Sequence, residues 1–166
     1  IPAAILAQAK LMVLSYPHNP TTAIAPLAFF EEAVAFCRKH QLVLVHDFPY
    51  LDFGFAGTPA FPSVLQADPQ KSLSIEFFTF SKSYNMGGFR VGFAIGNENL
   101  ILALRRIKAM VDFNQYRGIL NGAIAALNSP MTLVAETVLT FQKRRDVFIA
   151  ALEKIGWSIP SPRATM

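Results

Sequence analysis

The stretch Phe77-Phe78-Thr79-Phe80-Ser81-Lys82-Ser83-Tyr84-Asn85-Met86-Gly87-Gly88-Phe89-Arg90-Val91-Gly92 decides how this chain is read. The apolar run from Ile75 to Phe80 has the make-up of a buried strand. It delivers a lone lysine between two serines, and Arg90 lies eight residues beyond Lys82. A primary amine thus stands beside hydroxyls and a guanidinium, the donors that anions prefer. The Gly87-Gly88 pair, read alone, lets two chain segments pack closely.

Upstream, Leu11 to Leu14 is a short apolar run closed by Ser15-Tyr16-Pro17, and His18-Asn19-Pro20-Thr21-Thr22 reads as a turn. Pro26 suits the first position of a helix whose Leu27, Phe30, Val34 and Cys37 share one face and whose far end carries Arg38-Lys39-His40. Leu42-Val43-Leu44-Val45-His46 is a continuous apolar run, as in a strand covered on both faces, and it ends in Asp47-Phe48-Pro49-Tyr50. Gly54 to Pro69 is rich in glycine and proline and reads as an irregular loop.

Downstream, Arg90 to Gly96 reads as another strand, and Asn97 caps a helix striped by Leu100, Leu104, Ile107 and Val111. A shorter helix follows from Ile119 to Leu127. Ser129-Pro130 is expected to cap a long one, with Val134, Val138, Phe141, Phe148, Leu152 and Ile155 on its buried face and Gly156 as its stop. Strands first and helices after predict an α/β domain over residues 1–128, with a mostly parallel sheet flanked by helices. Residues 129–166 are expected to form chiefly a long linking helix; the start of a carboxyl-terminal small domain there is expected only from the family resemblance given below.

Composition agrees. Of 166 residues, 52% are hydrophobic and 16% charged, which supports one well-buried core. The net charge of +4 is mild, and the clusters Arg105-Arg106-Lys108 and Lys143-Arg144-Arg145 lie in helical stretches without a nucleic-acid-binding motif, so they read as solvated faces. The single cysteine, Cys37, excludes an internal disulfide and a cysteine-built zinc site, and its helical position suits packing. No run reaches bilayer-spanning length, no metal is called for, and a reducing, cytoplasmic setting is the default expectation. The start at Ile1-Pro2 and the stop after Pro162-Arg163-Ala164-Thr165-Met166 suggest a fragment.

In an open sheet, ligands gather outside the carboxyl ends of strands. Asn19, Asp47 and Lys82 each follow such an end, so parallel neighbours would bring them to one rim. Singly, each is unremarkable: a surface lysine, a turn aspartate, a turn asparagine. Jointly they fit one molecule. A lysine amine forms a Schiff base with an aldehyde. Thr79, Ser81 and Arg90 suit a phosphate, Asp47 suits a protonated pyridine nitrogen, and Tyr50 suits a phenolic oxygen. Pyridoxal 5'-phosphate carries all four groups.

Ser81-Lys82 followed by Gly88-Phe89-Arg90-Val91-Gly92 resembles the lysine motif of class I/II aminotransferases, which are fold type I pyridoxal-phosphate enzymes. Asn19-Pro20-Thr21 and Asp47-Phe48-Pro49-Tyr50 match in order and rough spacing. Lys108 to Tyr116 and Ala164-Thr165-Met166 resemble the branch of alanine, methionine and LL-diaminopimelate aminotransferases. The resemblance implies that Lys82 is the catalytic residue, attached to the cofactor and shuttling the substrate's α-proton. It implies that Asp47 pairs with the pyridinium, that Tyr50 and Asn19 meet the phenolic oxygen, and that Thr79, Ser81 and Arg90 hold the phosphate. It further implies amino-acid and 2-oxo-acid substrates and a homodimer. A carbon–sulfur lyase or decarboxylase of the same fold, or a non-catalytic ligand-sensing domain, would show the same motifs. Thr22 departs from the family's usual glycine, so a slightly different turn is expected, because a β-branched residue disfavours positive φ. The family's amino-terminal phosphate-binding turn and its carboxyl-terminal small domain are not found in these residues, and Arg163 is not matched to the substrate-carboxylate arginine.

Overall fold

The computed structural model describes residues 1–165, which leaves Met166, part of the Ala164-Thr165-Met166 resemblance, outside the described residues. In chain order the elements are α1 (Ala3–Leu6), β1 (Leu11–Ser15), α2 (Leu27–Lys39), β2 (Val43–Asp47), α3 (Val64–Ala67), β3 (Ser74–Thr79), β4 (Gly92–Gly96), α4 (Glu98–Val111), α5 (Arg117–Leu127) and α6 (Thr132–Lys154). The strands make one sheet in the order β1-β2-β3-β4. The pairs β1–β2 and β2–β3 are parallel, and β3–β4 is antiparallel. The expected mostly parallel α/β sheet is present.

The reversal at β4 follows from its connection. Residues 80–91 run as tight turns with a short 3₁₀ segment at Gly87–Phe89, whereas a parallel return needs a crossover back to the other end of the sheet. The sheet permits close approach here because Gly92 has no side chain: a Cβ would stand 2.4 Å from the Phe78 carbonyl oxygen. Gly87 and Gly88 do not serve close packing, since a Cβ on Gly88 meets nothing within 4 Å and one on Gly87 only reaches the Ser81 carbonyl at 3.9 Å.

The main core lies between α2, α3 and one face of the sheet. Phe30, Ala33, Val34 and Cys37 pack on Leu42, Leu44 and Val64, with Met12 and Leu14 partly buried beside them. Cys37 is buried, as its position predicted. Pro26 stands in extended backbone just before the helix rather than as its first residue, and Leu27 is half-exposed. Asn97 caps α4 as expected, its Oδ1 accepting from the amides of Asn99 (3.1 Å) and Leu100 (3.3 Å).

Two expectations for the long helix are corrected. Ser129 does not cap it: its hydroxyl donates back to the Ala126 carbonyl at 2.6 Å, finishing α5, and α6 begins two residues past Pro130. Only the first half of α6 is covered. Val134 and Val138 are buried against Tyr50, Phe53 and Phe55, and Phe141 packs beside them, but Phe148 is 61% and Ile155 74% exposed. The loop after β2 follows the helix to Gln142, whose Oε1 accepts from the Ala56 amide at 2.8 Å, and to Arg145, whose guanidinium lies 4.6 Å from the centre of the Phe55 ring. The stop is as expected: Gly156 takes φ 79°, its amide bonds Glu153 O at 3.0 Å, and the Trp157 amide bonds Leu152 O at 3.0 Å.

The loop read as irregular contains α3, which is built by local polar groups. Ser63 accepts from the Leu65 amide at 3.1 Å while Gln66 Oε1 accepts from the Ser63 amide at 3.0 Å, a reciprocal cap. At its other end Asp68, 1% exposed, accepts from the amides of Ser72, Leu73 and Ser74 and from the hydroxyls of Ser72 (2.7 Å) and Ser74 (2.8 Å). Burial alone would raise this carboxyl's pKa, but those bonds hold it down at about 2. A depressed carboxylate stabilises the fold above its unfolded pKa and loses that contribution as pH falls toward the folded value. The Asp68 contribution, about 2 kcal/mol, is therefore complete above roughly pH 4 and disappears toward pH 2. Asp68→Asn should lower stability at pH 7 by about that amount and flatten the acid limb of the curve, as read by denaturant melts from pH 2 to 7.

Candidate active site

Parallel pairing puts the carboxyl ends of β1, β2 and β3 on one rim. Ser15 registers with Asp47, and Asp47 with Phe77, so Ser15, Asp47 and Thr79 lie on one face of the sheet at that rim. The loops that leave the rim carry the other predicted residues. Because β4 is antiparallel, its amino end is also here, and Arg90 sits just before it.

The structure brings these groups together in pairs. Asn19 Nδ2 donates to Tyr50 Oη at 2.9 Å, joining the turn after β1 to the loop after β2. Tyr50 is buried, held edge-on by Phe53 at 6.2 Å between centroids and backed by Val134 and Val138. Lys82 Nζ lies 5.6 Å from the centre of the Tyr50 ring, over its face. Thr79 Oγ1 donates to Ser81 Oγ at 3.0 Å and accepts from the Ser81 amide at 3.1 Å, so both hydroxyls stand at one corner of the β3 exit. Arg90 adopts φ 53°, and its Nη1 donates to the Gly87 carbonyl at 2.9 Å, which leaves most of an exposed guanidinium fork free for an anion.

Asp47 ends β2. The residue is exposed at the strand end, and partial desolvation there raises the pKa of its carboxyl, against the pull of the adjacent His46. Such a group gains most from a cation placed against it.

The turn around Asn19 answers the Thr22 question. Thr22 takes φ 59°, the left-handed conformation a glycine would supply, while its amide bonds His18 O at 2.7 Å and the His18 amide bonds Ala23 O at 2.9 Å. The β-branched Thr22 holds that conformation and carries its strain.

Residues that sequence reasoning missed lie directly behind the rim. His46 and Glu76 are fully buried, with Nδ1 and Oε1 2.6 Å apart. Part of their signal is in the sequence: Glu76 interrupts the apolar run of β3 and His46 that of β2 just before Asp47, while the register that makes them cross-strand neighbours is seen in the sheet.

The arrangement defines a class before it defines a reaction: an α/β rim offering amine, carboxylate, phenol, carboxamide, paired hydroxyls and guanidinium. Comparison with known proteins agrees. The model for the family "Aminotransferase class I and II" matches residues 2–166, and the chain belongs to that family. It is 42% identical over 166 residues to LL-diaminopimelate aminotransferase 2 of Trichormus variabilis, covering all of this chain and 42% of that protein. It is 40% identical over 157 residues to glutamate-pyruvate aminotransferase AlaC of Escherichia coli, covering 95% of this chain and 38% of that one. Among solved structures, a probable N-succinyldiaminopimelate aminotransferase of Thermus thermophilus superposes with a TM-score of 0.91 at 41% identity, over 100% of this chain and 44% of its own. Apo-BacF of Bacillus subtilis gives 0.92 at 39% identity, over 99% and 42%. The chain thus spans less than half the length of these relatives. The family's cofactor is pyridoxal phosphate, and the donor set on the rim fits it: one amine for an aldehyde, one carboxylate for a ring nitrogen, hydroxyls and a guanidinium for a phosphate.

Replacing Thr22 by glycine should relieve the left-handed strain at a smaller entropic cost. The expected gain is about 1 kcal/mol, seen as a higher denaturation midpoint with an unchanged slope.

Proposed function

We propose that the intact protein is a pyridoxal-phosphate-dependent aminotransferase that exchanges an amino group between an amino acid and a 2-oxo acid. The observation that carries this reading is the convergence of Lys82, Tyr50 and Asn19 at the strand ends that also present Asp47, Thr79, Ser81 and Arg90. When bound, pyridoxal phosphate supplies an aldehyde for the amine and a ring that accepts electrons from the substrate's α-carbon.

The chain's own residues then have separable tasks. Lys82 supplies the attaching amine and, once displaced by substrate, takes and returns the α-proton at its Nζ. The ring of Tyr50 walls that amine, and its hydroxyl, fixed by Asn19, meets the phenolic oxygen. Asp47 keeps a proton on the pyridine nitrogen; partial desolvation at the strand end raises its pKa in the free protein, so a cation there is favourable. Arg90 and the Thr79–Ser81 hydroxyl pair bind the phosphate. The names of the relatives point to small dicarboxylic or alanine-type amino donors. The reading extends to a cytoplasmic homodimer in which residues 129–166 lead into a second domain. The apolar residues exposed around the α4–α5 junction, Met110 at 89% and Phe113 at 76%, support their being covered in the intact protein.

Two measurements bear on this. Borohydride added to the intact protein with pyridoxal phosphate should fix the cofactor's mass on Lys82; an adduct on another lysine, or none, would sink the assignment. Asp47→Asn should leave cofactor binding largely in place, make the cofactor-free protein no less stable at pH 7, and cut turnover roughly 100-fold or more. The stability sign follows from the raised carboxyl: its favourable contribution is complete below the unfolded pKa and is lost as pH rises through the folded one, so at pH 7 the charge costs stability and its removal does not. Near-normal turnover in steady-state assays would contradict the role given to Asp47.

A further inference from the structure

His46 and Glu76 lie on the face of the sheet opposite Asp47 and Thr79, and both are 0% exposed. Nδ1 of His46 is 2.6 Å from Glu76 Oε1 on β3, and Nε2 is 3.1 Å from the carbonyl and 3.3 Å from the amide of Tyr16, just past β1. Glu76 also accepts from Ser63 Oγ at 2.5 Å and from the Val64 amide at 2.9 Å. The rings of Phe30 and Phe48 stand 4.7 and 4.9 Å from the imidazole between centroids and keep water from substituting for these bonds.

One imidazole on the middle strand therefore bonds both neighbours, each time next to a rim residue. Tyr16 precedes Asn19 by three residues, His46 immediately precedes Asp47, and Glu76 precedes Thr79 by three. Stability alone does not call for this arrangement, because apolar side chains of similar volume fill such a space as well or better. What hydrogen bonds add is direction, which holds neighbouring strands to a single register.

We propose that His46 is a positioning residue for the cofactor site: with Glu76 it locks the exits of β1, β2 and β3 together, so that Asn19, Asp47 and Thr79 converge on the same bound molecule. This rests on the rim being the pyridoxal-phosphate site. The test uses the intact protein with three substitutions. His46→Phe fills the space without the bonds, Glu76→Gln is the conservative change, and Cys37→Ala weakens the same core without touching the network. Three properties are measured: melting of the cofactor-free protein, Kd for pyridoxal phosphate by fluorescence quenching, and the visible circular dichroism of the bound cofactor, which reports its orientation.

His46→Phe should weaken binding about tenfold and change the visible dichroism even where its melting temperature is kept. Glu76→Gln should move both in the same direction by less, and Cys37→Ala should lower melting while leaving Kd and dichroism as in the parent. Parent-like Kd and dichroism in both network variants would overturn the proposal, as would equal changes in Cys37→Ala. Should His46→Phe fail to fold, Glu76→Gln decides by the same two readouts. If borohydride traps nothing on Lys82 of the parent, the site reading fails and this inference falls with it; a trapped parent with unaltered variants defeats this inference alone.

Discussion

Parallel register among β1, β2 and β3 is the constraint on which the rest of the molecule depends. Parallel strands end on the same side, so the loops after them open from one edge of the sheet, and residues distant in sequence become neighbours there. The antiparallel β4 adds to this rather than breaking it. Its short connection from β3 never leaves the rim, which is why the amine of Lys82 and the guanidinium of Arg90 belong to the same edge. A parallel fourth strand would have required a crossover in the place where the turns around Lys82 now stand.

That register is held by polar groups where an apolar core would be expected. Glu76 receives the amino end of α3 and the imidazole of His46 on one carboxylate. Asp68, at the other end of the same four-residue helix, gathers the backbone that enters β3. A helix this short does not persist on its own propensity. It stands because two buried carboxylates fix its ends, and by doing so it also fixes where β3 begins and which of its side chains face the rim. Around Tyr50 the means differ. Phe53, Val134 and Val138 hold the ring by packing, and a single hydrogen bond from Asn19 directs its hydroxyl.

Membership of the class I and II aminotransferase family rests on the whole chain, while the chemistry rests on the rim. The groups on that rim are matched to a cofactor more than to a particular amino acid: amine, carboxylate, phenol and phosphate donors answer the fixed features of pyridoxal phosphate. The strain at Thr22 belongs to the same economy, because the turn it supports carries Asn19 to the Tyr50 hydroxyl.

The order of the four strands and of the four longer helices, the capping by Asn97, the stop at Gly156 and the set of polar residues after the strands were all legible in the amino-acid sequence, because each is encoded by neighbours a few positions apart. The capping pair Ser63 and Gln66 was equally local but was hidden in a stretch rich in proline and glycine. The exposure of Phe148 and Ile155 could not be read from helical spacing, since a stripe shows which side is apolar and not how far its partner extends. The pairing of His46 with Glu76, the reversal at β4 and the meeting of Asn19 with Tyr50 belong to the tertiary structure alone. The chain by itself determined which chemical groups would be present and roughly in what order. Strand pairing decided which of them touch, because contacts across thirty residues depend on a register that local sequence does not contain.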